Sequence, residues 1–253
     1  MGCQCNKKQE DEKEDELLKK NDMEFLNDNE DNKDSGANKN NTYDSNKGDN
    51  MGNNRDNGNR EDNESIERIT EEKNAKYGDY PEKILEIINK IREDPASYAE
   101  VIEDSIKNII EEPDKDNEYK TKKVFKKKVK VALTRGEPAF REAADILRNT
   151  EPLPPLELNS DICIPLPETV VEIKDPAFLK EQVKTLRESM TIDIFFKDLI
   201  KLPEVSALLM IVDDSVKNPG RKRNALLNRD FKYVGINSHF IGKNFVAYFA
   251  FSK

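Results

Sequence analysis

Apolar residues recur every three or four positions in several segments of the chain, which is the spacing of helices that bury one face. The first predicted helix carries Pro81 in its first turn. Asp94-Pro95 ends this helix and starts a second one. The predicted apolar faces are Ile84, Leu85, Ile88 and Ile91 in the first helix, and Tyr98, Val101, Ile102, Ile106, Ile109 and Ile110 in the second.

Three further segments predict helices: residues 136–150, 175–190 and 202–214. The apolar face of the first of these comprises Phe140, Ala143, Ala144 and Leu147. Residues 151–159, EPLPPLELN, are predicted to be extended because their prolines disfavour a helix. The lysine-dense stretch 119–134 predicts either an exposed edge strand or a loop.

The C-terminal residues 231–253 are rich in aromatic and β-branched residues that flank a Gly-Lys-Asn turn. This pattern predicts an antiparallel hairpin. Helices followed by a hairpin predict an α+β fold with an antiparallel sheet.

The first 80 residues differ in composition from the rest. They carry 13 Lys and Arg against 22 Asp and Glu, a net charge of −9, whereas residues 81–253 carry 29 of each. Much of this region lacks branched aliphatic residues and any periodicity, so burial of apolar surface cannot offset the loss of chain entropy. We therefore predict a short tip over residues 1–8, a disordered acidic tail over residues 9–78, and one folded domain over residues 79–253.

The sequence also bears on where the protein resides. No apolar run approaches the ~18–20 residues that a membrane span requires. The N-terminus lacks the apolar core of a secretory signal and becomes acidic from Glu10. The predicted domain has one cysteine, Cys163, which cannot form an internal disulfide. We therefore predict a protein that is not secreted and that faces the reducing cytosol.

The chain begins MGCQC and uses only three cysteines in 253 residues. Two thiols without a nearby histidine make a poor metal site. Removal of Met1 would expose Gly2 for myristoylation, and Cys3 and Cys5 are placed for palmitoylation, although Asn6 departs from the preferred Ser or Thr. One myristoyl chain binds a bilayer only marginally, so palmitate would supply the second signal. These residues predict a peripheral protein, anchored by lipid to the cytoplasmic side of a membrane.

Four segments, in this order and spacing, resemble the CAP superfamily of cysteine-rich secretory, antigen and pathogenesis-related proteins. They are INKIRED (88–94), TRGEPAFREAADILRNTEPLPPLELN (134–159), IVDDSVKNPGRKRNALLNRDFKYVGI (211–236) and NFVAYFAFS (244–252). Together they cover most of residues 80–253, and they are most similar to the disulfide-poor members from protists and bacteria. The resemblance implies an α–β–α sandwich, in agreement with the α+β pattern above.

Many members of this family share a cleft with two histidines and two acidic residues, which in some cases holds a divalent metal. The two histidine positions correspond to Ile88 and Lys222 in this chain, and the asparagine of the second motif corresponds to Ala225. The whole chain has one histidine, His239, so a two-histidine site cannot form. The resemblance therefore implies a CAP-like domain without a metal, cofactor or enzymatic activity.

Other catalytic arrangements are also disfavoured. Ser238 and His239 are adjacent on a predicted strand, so their side chains point to opposite faces. Asp213-Asp214, at the end of a predicted helix, is typical of capping or solvated groups. Cys163 and His239 are far apart in the sequence, so a catalytic cysteine–histidine pair would form only if the fold happened to bring them together, which we do not expect. A residual hydrolase is kept as a third hypothesis.

Two basic clusters remain as candidate contacts with a membrane or a partner. They are Lys122, Lys123, Lys126, Lys127, Lys128 and Lys130 in one cluster, and Arg221, Lys222 and Arg223 in the other. Because the predicted domain has no net charge, a solvated face is the simplest interpretation of both clusters. If acyl chains hold the domain at a bilayer, either cluster could instead contact anionic lipid. Nucleic acid is not expected, since the aromatic residues lie in the predicted core.

The leading hypothesis is a lipid-anchored, non-enzymatic CAP-like module that binds lipid or protein. The resemblance to membrane-associated members of the family implies an anionic lipid, a sterol or an unidentified protein as its ligand. The alternative is a soluble structural or interaction protein whose cysteines are unmodified.

Overall fold

The structure, a computed structural model, describes residues 58–114, 117–216 and 219–253, and their side chains from residue 67 onward except for residues 117–120. The predicted tip over residues 1–8 and the predicted tail up to residue 57 lie outside the described residues. Within the described ranges, the helices are α1 (Gly58–Tyr77), α2 (Tyr80–Glu93), α3 (Pro95–Ser105), α4 (Glu137–Arg148), α5 (Val170–Lys174), α6 (Pro176–Leu186), α7 (Pro203–Val212) and α8 (Arg221–Leu226).

The strands of the described residues form two sheets. The first sheet has the order β1-β2-β3 and comprises β1 (Ile109–Asp114), β2 (Asn117–Lys126) and β3 (Lys130–Leu133). The second sheet has the order β4-β6-β7-β5 and comprises β4 (Glu157–Leu158), β5 (Ile194–Asp198), β6 (Tyr233–Ile241) and β7 (Asn244–Ser252). Neighbouring strands are antiparallel except that β4 runs parallel to β6. The predicted α+β class is confirmed.

The second sheet is buried on both faces. Side chains of β7 alternate between two clusters of the core: Phe249 and Phe251 lie in the larger cluster, and Tyr248 and Ala250 lie in the smaller one. Helices α2, α3, α4, α7 and α8 contribute to the larger cluster, whereas α5 and α6 contribute to the smaller one. Successive side chains of a strand point to opposite faces, so a strand covered on both sides is apolar throughout.

The C-terminal hairpin is confirmed, with β6 and β7 paired from Tyr233 and Ser252 to Ile241 and Asn244. Its turn contains Gly242 at φ +60°, a conformation that hairpin turns of two residues require and that glycine adopts without strain. The helices predicted around residues 84, 140, 180 and 208 are confirmed as well. Each begins with a proline in its first two positions, where the missing N–H costs no hydrogen bond.

The predicted start of the domain at residue 79 is wrong, because α1 packs against the hairpin. The side-chain amide of Asn74 accepts a hydrogen bond from the Phe240 N–H (2.7 Å) and donates one to the Phe240 carbonyl (3.4 Å). The Gly242 N–H donates to the Thr70 hydroxyl at 3.1 Å. Apart from the Tyr77 ring, whose centroid lies 5.2 Å from that of Phe240, these contacts are polar. The sequence of α1 therefore shows little of the apolar stripe by which an amphipathic helix is recognised.

The predicted second helix is too long. It ends at Ser105, and Ile109 and Ile110 belong to β1, where they pair with Phe125 and Val124 of β2. These isoleucines are β-branched and suit a strand. The lysine-dense stretch, predicted as an exposed edge strand or a loop, forms most of β2, the middle strand of its sheet, and all of β3, which lies at the edge.

Candidate functional site

Arg92, from the INKIRED segment, is completely buried in the core. Its guanidinium donates hydrogen bonds to the carbonyl oxygens of Pro154 (2.7 Å), Leu226 (2.7 Å), Asn228 (3.0 Å) and Phe231 (3.4 Å). Burial lowers the pKa of Arg92 to about 10. A planar group with five N–H donors suits several fixed carbonyls, so this residue joins α2 to two distant segments.

Asn89 joins the same helix to the proline-rich segment. Its side-chain amide donates to the Leu156 carbonyl (2.9 Å) and accepts from the Leu156 N–H (2.8 Å). The Leu153 N–H also donates to the Arg92 carbonyl at 2.7 Å. The role of Arg92 was missed from the sequence, although a signal was present: it stands four positions after Ile88, on the apolar face of the helix.

A second buried polar cluster lies between α2, α7 and the end of β5. The Tyr80 hydroxyl donates to the Ser206 hydroxyl at 3.0 Å, and Ser206 donates to the Asp198 carboxylate. The three side chains are almost completely buried. Burial raises the pKa of Asp198, and the charge of Lys222 opposes that rise. Burial and the neighbouring Asp198 raise the pKa of Tyr80.

This cluster is suited to holding the fold and not to nucleophilic catalysis. Ser206 has no exposed surface, so a substrate in solution does not reach its hydroxyl. The Lys222 ammonium nitrogen lies 5.6 Å from the centroid of the Phe196 ring and supplies the positive charge that faces Asp198. No pattern in the sequence links Tyr80, Asp198 and Ser206, because they come from three separate elements.

Asp213 and Asp214 follow α7 and bind backbone N–H groups, as capping residues do. Asp213 has a left-handed conformation (φ 44°), and its carboxylate accepts the Lys222 N–H at 2.7 Å. Asp214 accepts the N–H groups of Arg135 (2.9 Å) and Gly136 (2.8 Å), just before α4. Burial raises the pKa of Asp214, and these hydrogen bonds oppose the rise.

The cluster Arg221, Lys222 and Arg223 is directed largely inward. Arg223 is 2% exposed; it donates to the carbonyls of Ile211 (3.3 Å) and Val212 (3.0 Å) and forms an ion pair with Glu142. The prediction that Arg223 contacts a membrane or partner is therefore wrong, because its guanidinium is used inside the domain. Arg221 donates to the Phe195 carbonyl at 3.3 Å.

The lysine cluster follows β2 and the turn into β3. Lys123, Lys126, Lys127, Lys128 and Lys130 are exposed, and Lys122 is half-buried. The Lys130 ammonium pairs with Glu112 at 2.5 Å, and that of Lys128 pairs with Glu204 at 3.0 Å. Five of the six lysines in this cluster thus lie at the surface.

The remaining chemically reactive side chains, Cys163 and His239, lie in surroundings that are typical of structural residues. The Cys163 thiol lies 3.6 Å from the carbonyl oxygens of Asn159 and Ile236, and burial raises its pKa, which disfavours the reactive thiolate. His239 lies on β6, paired with Val246, and burial lowers its pKa.

A surface groove of about 370 Å³ lies between β1 and α4. Its lining includes Ile106, Ile109, Ile110, Lys123, Glu137 and Arg141. Arg141 forms an ion pair with Glu137, so these two charged groups of the lining already have partners.

Among the residues that the structure describes, no three His, Cys, Asp or Glu side chains are grouped so as to hold a metal ion. No helix in the same ranges is long and apolar enough to cross a membrane. Comparison with protein-family models gives no match, and searches of curated proteins and of solved structures give none either. The resemblance to the CAP superfamily thus rests on the motifs themselves.

Proposed function

We propose that this protein is a lipid-anchored, non-enzymatic binding module. In this proposal a CAP-like α–β–α domain is held at the cytosolic face of a membrane by acyl chains on Gly2, Cys3 and Cys5. The ligand is a lipid, such as an anionic lipid or a sterol, or a protein partner. The observation that carries the proposal is the start of the chain, MGCQC, where a glycine suited to myristoylation precedes two cysteines.

The contacts of Arg92 support a CAP-like domain. Arg92 belongs to the first of the four segments that carry the resemblance. It donates to the Pro154 carbonyl of the second segment and to the Leu226 carbonyl of the third, both at 2.7 Å. The segments are thus linked through the very residues that make them recognisable. A sheet with both faces buried is also the arrangement that an α–β–α sandwich requires.

The residues at the family's metal-cleft positions favour a binding module over a metal-dependent enzyme. Ile88, at one of the two histidine positions, is apolar and completely buried, so it offers no ligand atom. Lys222 brings an ammonium group towards the Asp198 carboxylate. A fixed positive charge repels a metal cation, so these positions do not fit the divalent metal of the family.

The anchor is tested by intact-mass measurement of the protein isolated from its own cells, where acyl additions appear directly. Gly2→Ala should release the protein from membranes in a fractionation assay. Cys3→Ser/Cys5→Ser should leave weak, transient binding, because a single myristoyl chain has an association constant of only about 10⁴ M⁻¹. Cys163→Ser is the matched control, because it removes a cysteine from the domain and should leave the membrane fraction unchanged.

An unmodified Gly2, together with equal membrane fractions for all variants, would contradict the anchor. The alternative, a soluble structural or interaction protein, would then take its place.

A further inference from the structure

We propose that the turn between β2 and β3 is a docking surface for the anionic headgroups of a phospholipid bilayer. This surface, the lysine tip, consists of Lys126, Lys127, Lys128 and Lys130. The inference rests on the proposed function, since the acyl anchor is what brings the domain to a bilayer. It adds a second contact, made by the folded domain itself.

The backbone of the turn holds the lysine tip together. Lys126 and Lys130 are directly paired across β2 and β3, and the Lys127 N–H donates to the Val129 carbonyl at 3.1 Å. Val129 is partly buried and packs against the larger core cluster. Four ammonium groups are therefore presented within five residues on a turn that is fixed to the core.

The charges around the lysine tip do not balance. Of the four lysines of the tip, Lys130 pairs with Glu112 and Lys128 pairs with Glu204. Among the side chains that the structure describes, the tip thus carries four positive charges against two paired glutamates. Like charges directly opposite each other in a sheet are unfavourable, so the pairing of Lys126 with Lys130 costs the fold a little and favours an external anion.

The lysine tip differs from the other basic cluster in its surroundings. Arg223 is buried against α7, and Lys222 faces Asp198, so those cations are committed to internal contacts. At the lysine tip, by contrast, the side chains of Lys128 and Lys130 are 67% and 49% exposed even in their ion pairs. Exposed pairs of this kind contribute little to stability and exchange easily with other partners.

The chemistry of the lysine tip fits a diffuse anionic surface. Lysine presents a compact point charge on a flexible stem, whereas recognition of one shaped phosphate group generally uses the arginine fork. The aromatic residue next to the tip, Phe125, is buried and offers no platform for stacking bases. A bilayer with anionic lipid attracts such a cluster, and each well-placed charge raises the partition coefficient about fivefold.

The test uses the full, unacylated chain, produced in a host that does not acylate it. It is mixed with vesicles of phosphatidylcholine alone, or of phosphatidylcholine with phosphatidylserine, and binding is measured by co-sedimentation. Binding should require phosphatidylserine and should fade as salt shortens the screening length from about 10 Å at 0.1 M to about 3 Å at 1 M.

Lys126→Gln/Lys127→Gln/Lys128→Gln should lower the partition coefficient at least about tenfold. Lys174→Gln/Lys184→Gln/Lys232→Gln removes three exposed lysines elsewhere, with the same change in net charge, and should lower it much less. An equal loss in both variants, or no binding at low salt, would overturn the inference. If carbodiimide cross-links the chain's own acidic segment, residues 10–16, to the lysine tip and the protein does not bind vesicles, that segment is the occupant and the inference is overturned. Because no acyl chain is present, failure here leaves the proposed anchor standing.

Discussion

Lys126–Lys128 and Arg221–Arg223 are both runs of three basic residues, yet their surroundings are opposite. The first run lies on an exposed turn, where only weak, solvent-exposed glutamate pairs compete for its charges. The second opens the short helix α8, beside the end of α7, whose last carbonyls have no partner within their own helix. Arg223 satisfies two of these carbonyls from inside the core. A run of basic residues thus lies at the surface or in the interior according to the hydrogen-bond acceptors that the fold places beside it.

The strongest test of this contrast is Arg223→Met. The change removes the donor to the Ile211 and Val212 carbonyls and leaves Glu142 without one of its two arginine partners. A buried carbonyl left without its donor typically costs about 1–3 kcal/mol, and Arg223 serves two of them, so we expect a loss of roughly 3 kcal/mol or more in the free energy of unfolding, measured with urea. Lys126→Met, the counterpart on the exposed run, should change it by less than about 0.5 kcal/mol. Equal effects would erase the distinction between the two runs.

Lys222→Met should have an intermediate and pH-dependent effect. Burial raises the pKa of Asp198, and Lys222 opposes that rise, so the variant should raise this pKa further. When a carboxyl group has a higher pKa in the folded than in the unfolded state, the folded state becomes less stable as the pH rises from the unfolded-state pKa to the folded-state pKa. We expect a cost of about 1–3 kcal/mol at neutral pH that disappears below about pH 3.9, the ordinary pKa of aspartate.

Urea unfolding of wild type and Lys222→Met over a series of pH values measures this difference. A cost that is the same at every pH would mean that Lys222 stabilises the fold through packing on Phe196 and not through its charge.

A smaller effect is expected for Lys126→Gln/Lys127→Gln/Lys128→Gln. Each exposed substitution should change stability by less than about 0.5 kcal/mol, and relief of repulsion between Lys126 and Lys130 offsets the lost pair with Glu204. Thermal unfolding followed by circular dichroism checks this. A large fall in melting temperature would mean that the lysine tip is structural.

Added Zn²⁺ should have no effect on the melting temperature. In the proposed CAP-like domain, Lys222 stands at one of the family's histidine positions, and a ligand that does not bind the native state cannot stabilise it. Differential scanning fluorimetry with and without Zn²⁺ provides the measurement. A saturable rise at micromolar Zn²⁺ would show that a metal site exists in spite of Lys222.

The fold was predicted from the sequence where local pattern decides structure. The apolar face of α2 and the aromatic and β-branched residues of β6 and β7 each indicate one structure, and prolines and glycines mark where they begin or turn. The prediction failed at α1, which contacts the hairpin through Thr70 and Asn74, and at Ile109 and Ile110, whose β-branched side chains pair with β2. In both places, contacts distant in the sequence outweigh the local pattern.

The candidate sites divide in the same way. The sequence by itself determined which side chains are present: a glycine and two cysteines at the start, one histidine in all, and two basic runs. Only the tertiary structure decided that Arg92 holds carbonyls of two distant segments, that Tyr80, Ser206 and Asp198 form one chain of hydrogen bonds, and that Arg223 is interior while Lys128 is exposed. The reason is physical. Whether one of these side chains is buried, and which group it bonds to, depends on residues that folding brings together from distant segments. The sequence of a single segment does not contain both partners.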